Sequence, residues 1–129
     1  MKREIKFKGK RLDNGEWVYG DLGITENTTF IMGHSLDKVD PETVGQYTGL
    51  KDRNGKEIYE GDIVKAPLLD PILFDVLADA FCEAEIKFNN AAFVVSYYKQ
   101  NLNIYFPDLQ DKIEVIGNIY DNPGLIEVK

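Results

Sequence analysis

Ile5 and Phe7 alternate with Lys6 and Lys8, the period-2 pattern of a strand with one buried face. Asp13-Asn14-Gly15 then supplies a turn, and Trp17-Val18-Tyr19 returns as the second arm of a hairpin. Thr28 to Met32 predicts a third strand, followed by a loop over Gly33 to Glu42. The pattern resumes at Thr43 to Thr48, turns at Lys51-Asp52-Arg53-Asn54-Gly55-Lys56, and continues through Glu57 to Tyr59 and Asp62 to Ala66. Further on, Glu85 to Phe88, an Asn89-Asn90 turn and Phe93 to Tyr98 read as another hairpin. Lys112 to Tyr120 reads as a last long strand before Asn122-Pro123-Gly124.

The pattern changes at Asp70-Pro71, because Asp is a favoured N-cap and Pro is favoured at the first helical position. Ile72, Leu73, Val76, Leu77 and Ala80 follow at helical spacing, with Asp75, Asp79 and Glu83 four residues apart on the other side. This predicts an amphipathic helix near residues 71–82 with an acidic outer stripe. The expected fold class is therefore mainly β (α+β): small curled antiparallel sheets, or a barrel-like β domain, with one inserted helix.

Gly followed by Asp or Asn and an apolar residue recurs in Tyr19-Gly20-Asp21-Leu22, Glu60-Gly61-Asp62-Ile63 and Ile116-Gly117-Asn118-Ile119. Gly within a strand pattern marks a bulge or sharp bend, so the three copies read as strand corners. Their spacing is too irregular for a solenoid.

Composition narrows the class. A chain of 129 residues suits a single domain, 43 % hydrophobic residues suit a globular core, and no apolar stretch approaches the roughly 18 residues of a membrane span. The charged start Met1-Lys2-Arg3-Glu4 leads into no apolar segment, from which a cytoplasmic location and no membrane contact are expected. The net charge of −7 argues against direct nucleic-acid binding. That charge is uneven: residues 1 to 11 carry six Lys or Arg against Glu4, and residues 66 to 111 carry seven Asp or Glu against Lys87 and Lys99.

Candidate chemistry is sparse. Cys82 is the only cysteine, which excludes an internal disulfide and a cysteine-based zinc site and predicts a buried free thiol. His34 is the only histidine, and Ser35 beside it is badly placed to act as its nucleophile, since adjacent residues rarely align as nucleophile and base. An EF-hand loop starting at Asp52 would need Gly where Glu57 stands, so Asp52 to Gly55 reads as a turn. Glu57, Glu60 and Asp62 form the one carboxylate cluster suited to acid–base work or magnesium, although on a strand Glu57 points away from the other two unless Gly61 bends the chain. Tyr97, Tyr98, Tyr105 and Phe106 are close enough in sequence to stack bases, but Lys99 and Gln100 alone accompany them, and core packing or a partner surface is the better account.

The string VGQYTGLKDRNGKEIYEGDIVK at Val44 to Lys65 closely resembles the YopX family of phage and prophage proteins. IKFKGKRLDNGEWVYGDL resembles that family's N-terminal hairpin, and FNNAAFVV with IEVIGNIYDNP its C-terminal strands. Residues 67 to 82 depart from the family pattern, which has a shorter, more polar connection there. The resemblance implies a single mostly β domain over residues 1–129, with an N-terminal hairpin part at about 1–42 and the core motif and C-terminal strands at about 43–129. It further implies phage origin, residence in the cytoplasm of the host bacterium, and self-association. It carries no catalytic, cofactor-binding or metal residues to transfer.

These readings lead to a non-catalytic, cofactor-free homo-oligomeric binding protein, with a host or phage protein as a further partner. Two alternatives stand beside it. One is an acidic inhibitor that binds a host factor, or imitates nucleic acid, through Asp75, Asp79 and Glu83. The other is a metal-dependent enzyme using Glu57, Glu60 and Asp62.

Overall fold

The structure, a computed structural model, describes residues 5–69, 76–89, 92–97, 102–105 and 112–126. Antiparallel strands dominate them. The chain divides into two compact units, one running to Gly49 and the other starting at Leu50.

In the first unit the strands are β1 (Phe7–Lys10), β2 (Trp17–Thr25), β3 (Thr28–Met32), β4 (Leu36–Lys38) and the start of β5 (Gly45–Lys51), in the spatial order β4-β3-β2-β1-β5. Apolar alternation sets which face is buried: Ile31 on β3 is fully buried, and Leu22 stands opposite it on β2. The sheet curls so far that residues beyond its β4 edge meet the end of β1. Arg11 and Val39 form a bridge, Asp40 N–H donates to the Lys10 carbonyl (2.9 Å), and Leu12 N–H donates to the Lys38 carbonyl (3.1 Å). A side chain on Gly9 would stand 3.1 Å from the Val39 methine, so the absence of one lets the curl close over Val39. The loop expected over Gly33 to Glu42 instead holds β4 and a single 3-10 turn at Pro41–Thr43, whose cap Asp40 accepts a bond from Glu42 N–H (3.0 Å).

In the second unit β6 (Glu57–Tyr59) follows the turn at residues 52–56. The remaining strands, β7 (Asp62–Leu69), β8 (Val76–Asn89), β9 (Ala92–Tyr97), β10 (Leu102–Tyr105) and β11 (Glu114–Asn118), form a sheet in the order β10-β9-β8-β7-β11. Its core alternates as strand period requires: Cys82, Ala84 and Ile86 on β8 are buried beside Phe93, Val95 and Tyr97 on β9. Each fully buried aliphatic side chain here contributes about 1.5–3 kcal/mol. Cys82 is a buried free thiol, as the sequence predicts. Tyr97 donates its hydroxyl to the Pro67 carbonyl (2.9 Å), and burial, then the neighbouring Cys82, pushes its phenol well above the ordinary range.

The helix expected near residues 71–82 is corrected over its described part. Val76 to Cys82 belong to β8 and pair antiparallel with β7, in the register Leu69↔Val76, Pro67↔Phe81 and Ala66↔Cys82. Asp70 to Asp75 lie outside the described residues. The physical reason is that β7 offers this segment a ladder of backbone partners, and buried period-2 positions continue through Cys82, Ala84 and Ile86. Pairing with β7 outweighs the helical spacing of the apolar residues in this segment. With the helix goes the acidic helical stripe: Glu83 is a half-buried strand residue opposite Lys65, Asp79 falls within β8, and Asp75 lies outside the described residues.

Candidate functional site

The segment from β5 to β7 collects the acidic residues with the best case for chemistry, and its local physics decides what they do. Asp52 is buried at the head of the 52–56 turn. Its Oδ1 accepts bonds from Asn54 N–H (2.8 Å) and Lys56 N–H (2.9 Å), the Asx geometry that tightens a turn, while Gly55 takes the left-handed conformation at φ +83°. Its Oδ2 reaches across 63 residues of sequence to accept Val115 N–H on β11 (2.9 Å). Arg53 N–H donates to the Ile113 carbonyl (3.1 Å) alongside it, and Asn54 Nδ2 donates to Glu114 (3.2 Å). The turn thus occupies backbone groups at the start of β11 that an added strand would otherwise take. Burial pushes the Asp52 carboxyl upward, but the bonds from Val115, Lys56 and Asn54, helped by the Lys56 charge, outweigh it and hold the group below its usual value.

The cluster Glu57, Glu60 and Asp62 is similarly engaged. Asp62 is buried and accepts Tyr59 N–H (2.9 Å), and the Tyr59 hydroxyl donates to Glu57 (3.0 Å). Glu60 is half-buried in the turn between β6 and β7. Gly61, at φ +92°, bends the chain there; its N–H donates to the Ile86 carbonyl (2.9 Å) and its carbonyl accepts Ile119 N–H (3.0 Å). Among the described residues no three His, Cys, Asp or Glu side chains are grouped to hold a metal. The bend therefore ties β6, β8 and the end of β11 together and does not assemble three ligands.

The other two Gly-Asp or Gly-Asn copies also serve geometry. Gly117 sits at a register shift between β11 and β7, where Ile116 is the extra residue, and Asn118 beside it accepts bonds from Tyr120 N–H (3.0 Å) and Asp121 N–H (2.9 Å). Gly20 lies within β2, where the Met32 backbone passes against it.

His34 is exposed, and Ser35 turns its hydroxyl to Asp37 (2.9 Å). Of the proposed aromatic cluster, Tyr97 is core, Tyr105 lies in β10, and Tyr98 and Phe106 lie outside the described residues. Among the described residues no helix is long and apolar enough to cross a membrane.

The structure adds two features to the sequence reading. The basic front is partly built into the fold: Lys8, Lys10 and Lys6 share one side of the first strand by parity. The Lys8 ammonium stands 4.5 Å and that of Lys10 5.5 Å from the Trp17 ring centre, and Lys6 stands 5.2 Å from that of Tyr47. Arg11 is held by Asp13 at 2.7 Å and Asp37 at 3.7 Å. The second feature is apolar exposure on the first sheet, where Tyr19, Met32 and Leu36 are 50 %, 43 % and 62 % exposed. Outward apolar residues in strands that also bury apolar residues are the signal that could have found it.

Comparisons with known proteins agree with this architecture. No curated protein matches the chain. Among solved structures, protein EF1440 from Enterococcus faecalis is similar over 98 % of this chain and 100 % of its own, at 23 % identity and a TM-score of 0.60. Protein yopX from Bacillus subtilis is similar over 96 % of this chain and 97 % of its own, at 26 % identity and a TM-score of 0.57. The family model described as YopX protein matches residues 4–127. With its signature segment folded as a clamp on β11 and its length matched almost end to end, the chain belongs to the YopX family.

Proposed function

We propose that this chain is a phage or prophage accessory protein of the host cytoplasm that acts by association: a non-catalytic homo-oligomer that presents binding surfaces to a further protein. One observation carries the reading. In the carboxylate cluster best placed in sequence for catalysis or metal binding, Asp62 accepts the Tyr59 N–H and Glu57 the Tyr59 hydroxyl, and the neighbouring Asp52 accepts three more backbone N–H groups. A ligand would have to displace bonds that hold strands together. What remains available is surface, both apolar and charged, and such surface works by contact.

The same engagement weakens the metal-dependent alternative at Glu57, Glu60 and Asp62. The alternative through Asp75, Asp79 and Glu83 loses the helical face on which its three charges were to align.

Mass in solution tests the proposal. Light scattering on the purified chain at low and at high salt is expected to give a multiple of 14.7 kDa. A mass of 14.7 kDa at every concentration and salt level contradicts it.

A further inference from the structure

We infer that the outer face of β2-β3-β4 is the surface through which two copies of this chain meet, related by a two-fold axis. The inference rests on the association proposed above and names its surface.

Register fixes which side chains share this face. Asp21 stands opposite Met32 and Met32 opposite Leu36; one step along, Gly23 stands opposite Phe30 and Phe30 opposite Lys38. Directly opposed residues point to the same side of a sheet, so these six form two cross-strand rows of three. Ile31, between Met32 and Phe30, points the other way and is fully buried, which makes this the outer face. A solvated outer face is normally polar. Here Met32 and Leu36 are exposed neighbours, Met32 folds over the bare backbone of Gly23 at 3.2 Å from where a side chain would begin, and Phe30 is half-buried beside them.

The two charges occupy opposite corners. Asp21 ends one row and Lys38 the other, both are exposed, and among the described residues neither has an ion-pair partner. With strands about 4.8 Å apart and two residues advancing about 6.8 Å, the corners lie about 12 Å from each other across the apolar middle. A two-fold axis lying in the face along the opposite diagonal, from Leu36 to Gly23, brings Asp21 in projection to about 4 Å from the Lys38 position of the second copy, an offset that the long lysine side chain spans, and Lys38 likewise to its Asp21. Leu36 then meets its own equivalent, with Met32 and Phe30 enclosed. This self-complementarity is what an isologous contact requires. Six side chains fall short of the roughly 800 Å² per partner of a standard interface, and Tyr19, next along β2 on the same side, extends the patch.

The test is a charge-swap set read by sedimentation equilibrium at low salt: Asp21→Lys, Lys38→Asp and the double variant, with Leu36→Glu as the apolar probe. Each substitution enters a symmetric contact twice. Either single swap is expected to weaken association at least about tenfold, by facing like charges across the axis, while the double variant returns to within about threefold of the parent. Leu36→Glu is expected to abolish association. All three sites are exposed, so unchanged urea unfolding of the monomer verifies that folding is intact. If the parent associates and either single swap leaves its affinity unaltered, or the double variant fails to recover, this face belongs to another partner and the inference is overturned while the oligomer stands. A parent that stays monomeric overturns both.

Discussion

Replacing Asp52 with alanine is expected to lower the unfolding free energy by about 3 kcal/mol, because bonds to a charged acceptor contribute about 1.5–3 kcal/mol each and three are lost with only partial solvent compensation. Val115 N–H is the costliest of the three to abandon. It lies on β11 against the turn, whereas the Asn54 and Lys56 amides belong to an exposed turn and reach water more easily. The measurement is urea unfolding followed by circular dichroism, where the midpoint falls at an unchanged slope, with a drop in melting temperature on the order of 10 °C. Asp52→Asn keeps one oxygen for the turn amides but turns an NH2 group toward Val115, and is expected to lose about half as much. The difference between parent and Asp52→Asn also depends on pH. The folded carboxyl titrates below its unfolded value, so its contribution is complete above the unfolded value and disappears as pH falls through the folded one. A difference that stays constant down to the folded titration contradicts the hydrogen-bond account.

Gly20→Ala is the second large effect. A methyl group there falls onto the Met32 carbonyl oxygen, 2.7 Å from the carbonyl carbon and 3.0 Å from Gly33 Cα. These are backbone atoms and no rotamer relieves the collision, so β2 and β3 must separate locally, at a cost of about 2–4 kcal/mol. Gly15→Ala is the control. Gly15 has positive φ (+72°) with open space around the new methyl, so it carries conformational strain of about 1 kcal/mol and no collision. Amide exchange in Thr28–Met32 should quicken in the Gly20 variant and stay slow in the Gly15 variant. Equal losses in the two would show that conformation, not contact, sets the cost at Gly20.

The parts legible in sequence are those whose cause is local. Thr28–Met32 is a short run of β-branched and apolar residues bounded by turns; Glu57–Tyr59 and the start of β7 flank Asx and Gly signals whose chemistry has one common solution, a tight turn. Residues 76–82 are ambiguous for a physical reason: Val76, Leu77 and Ala80 fit a helix face, and the strand β7 that pairs with this segment at Val76, Phe81 and Cys82 is supplied by tertiary structure. β4 is only three residues long and carries little periodicity, so it was hidden in a loop. In the candidate site, the turn around Asp52 was readable. Its third bond, to Val115, was not, because nothing in the sequence near either residue specifies a contact 63 positions away. That bond makes the turn residue a structural acceptor for β11 as well.

The central claim is that Asp52 in the family signature holds the 52–56 turn to β11. A pH titration of the folded chain by NMR, following the Asp52 side-chain carboxyl carbon with the amide protons of Asn54, Lys56 and Val115, tests it directly. The account predicts one common titration, below the usual aspartate value, in which all three amides shift as the carboxyl takes its proton. An Asp52 that titrates at its ordinary value, with the Val115 amide indifferent to it, would contradict the account.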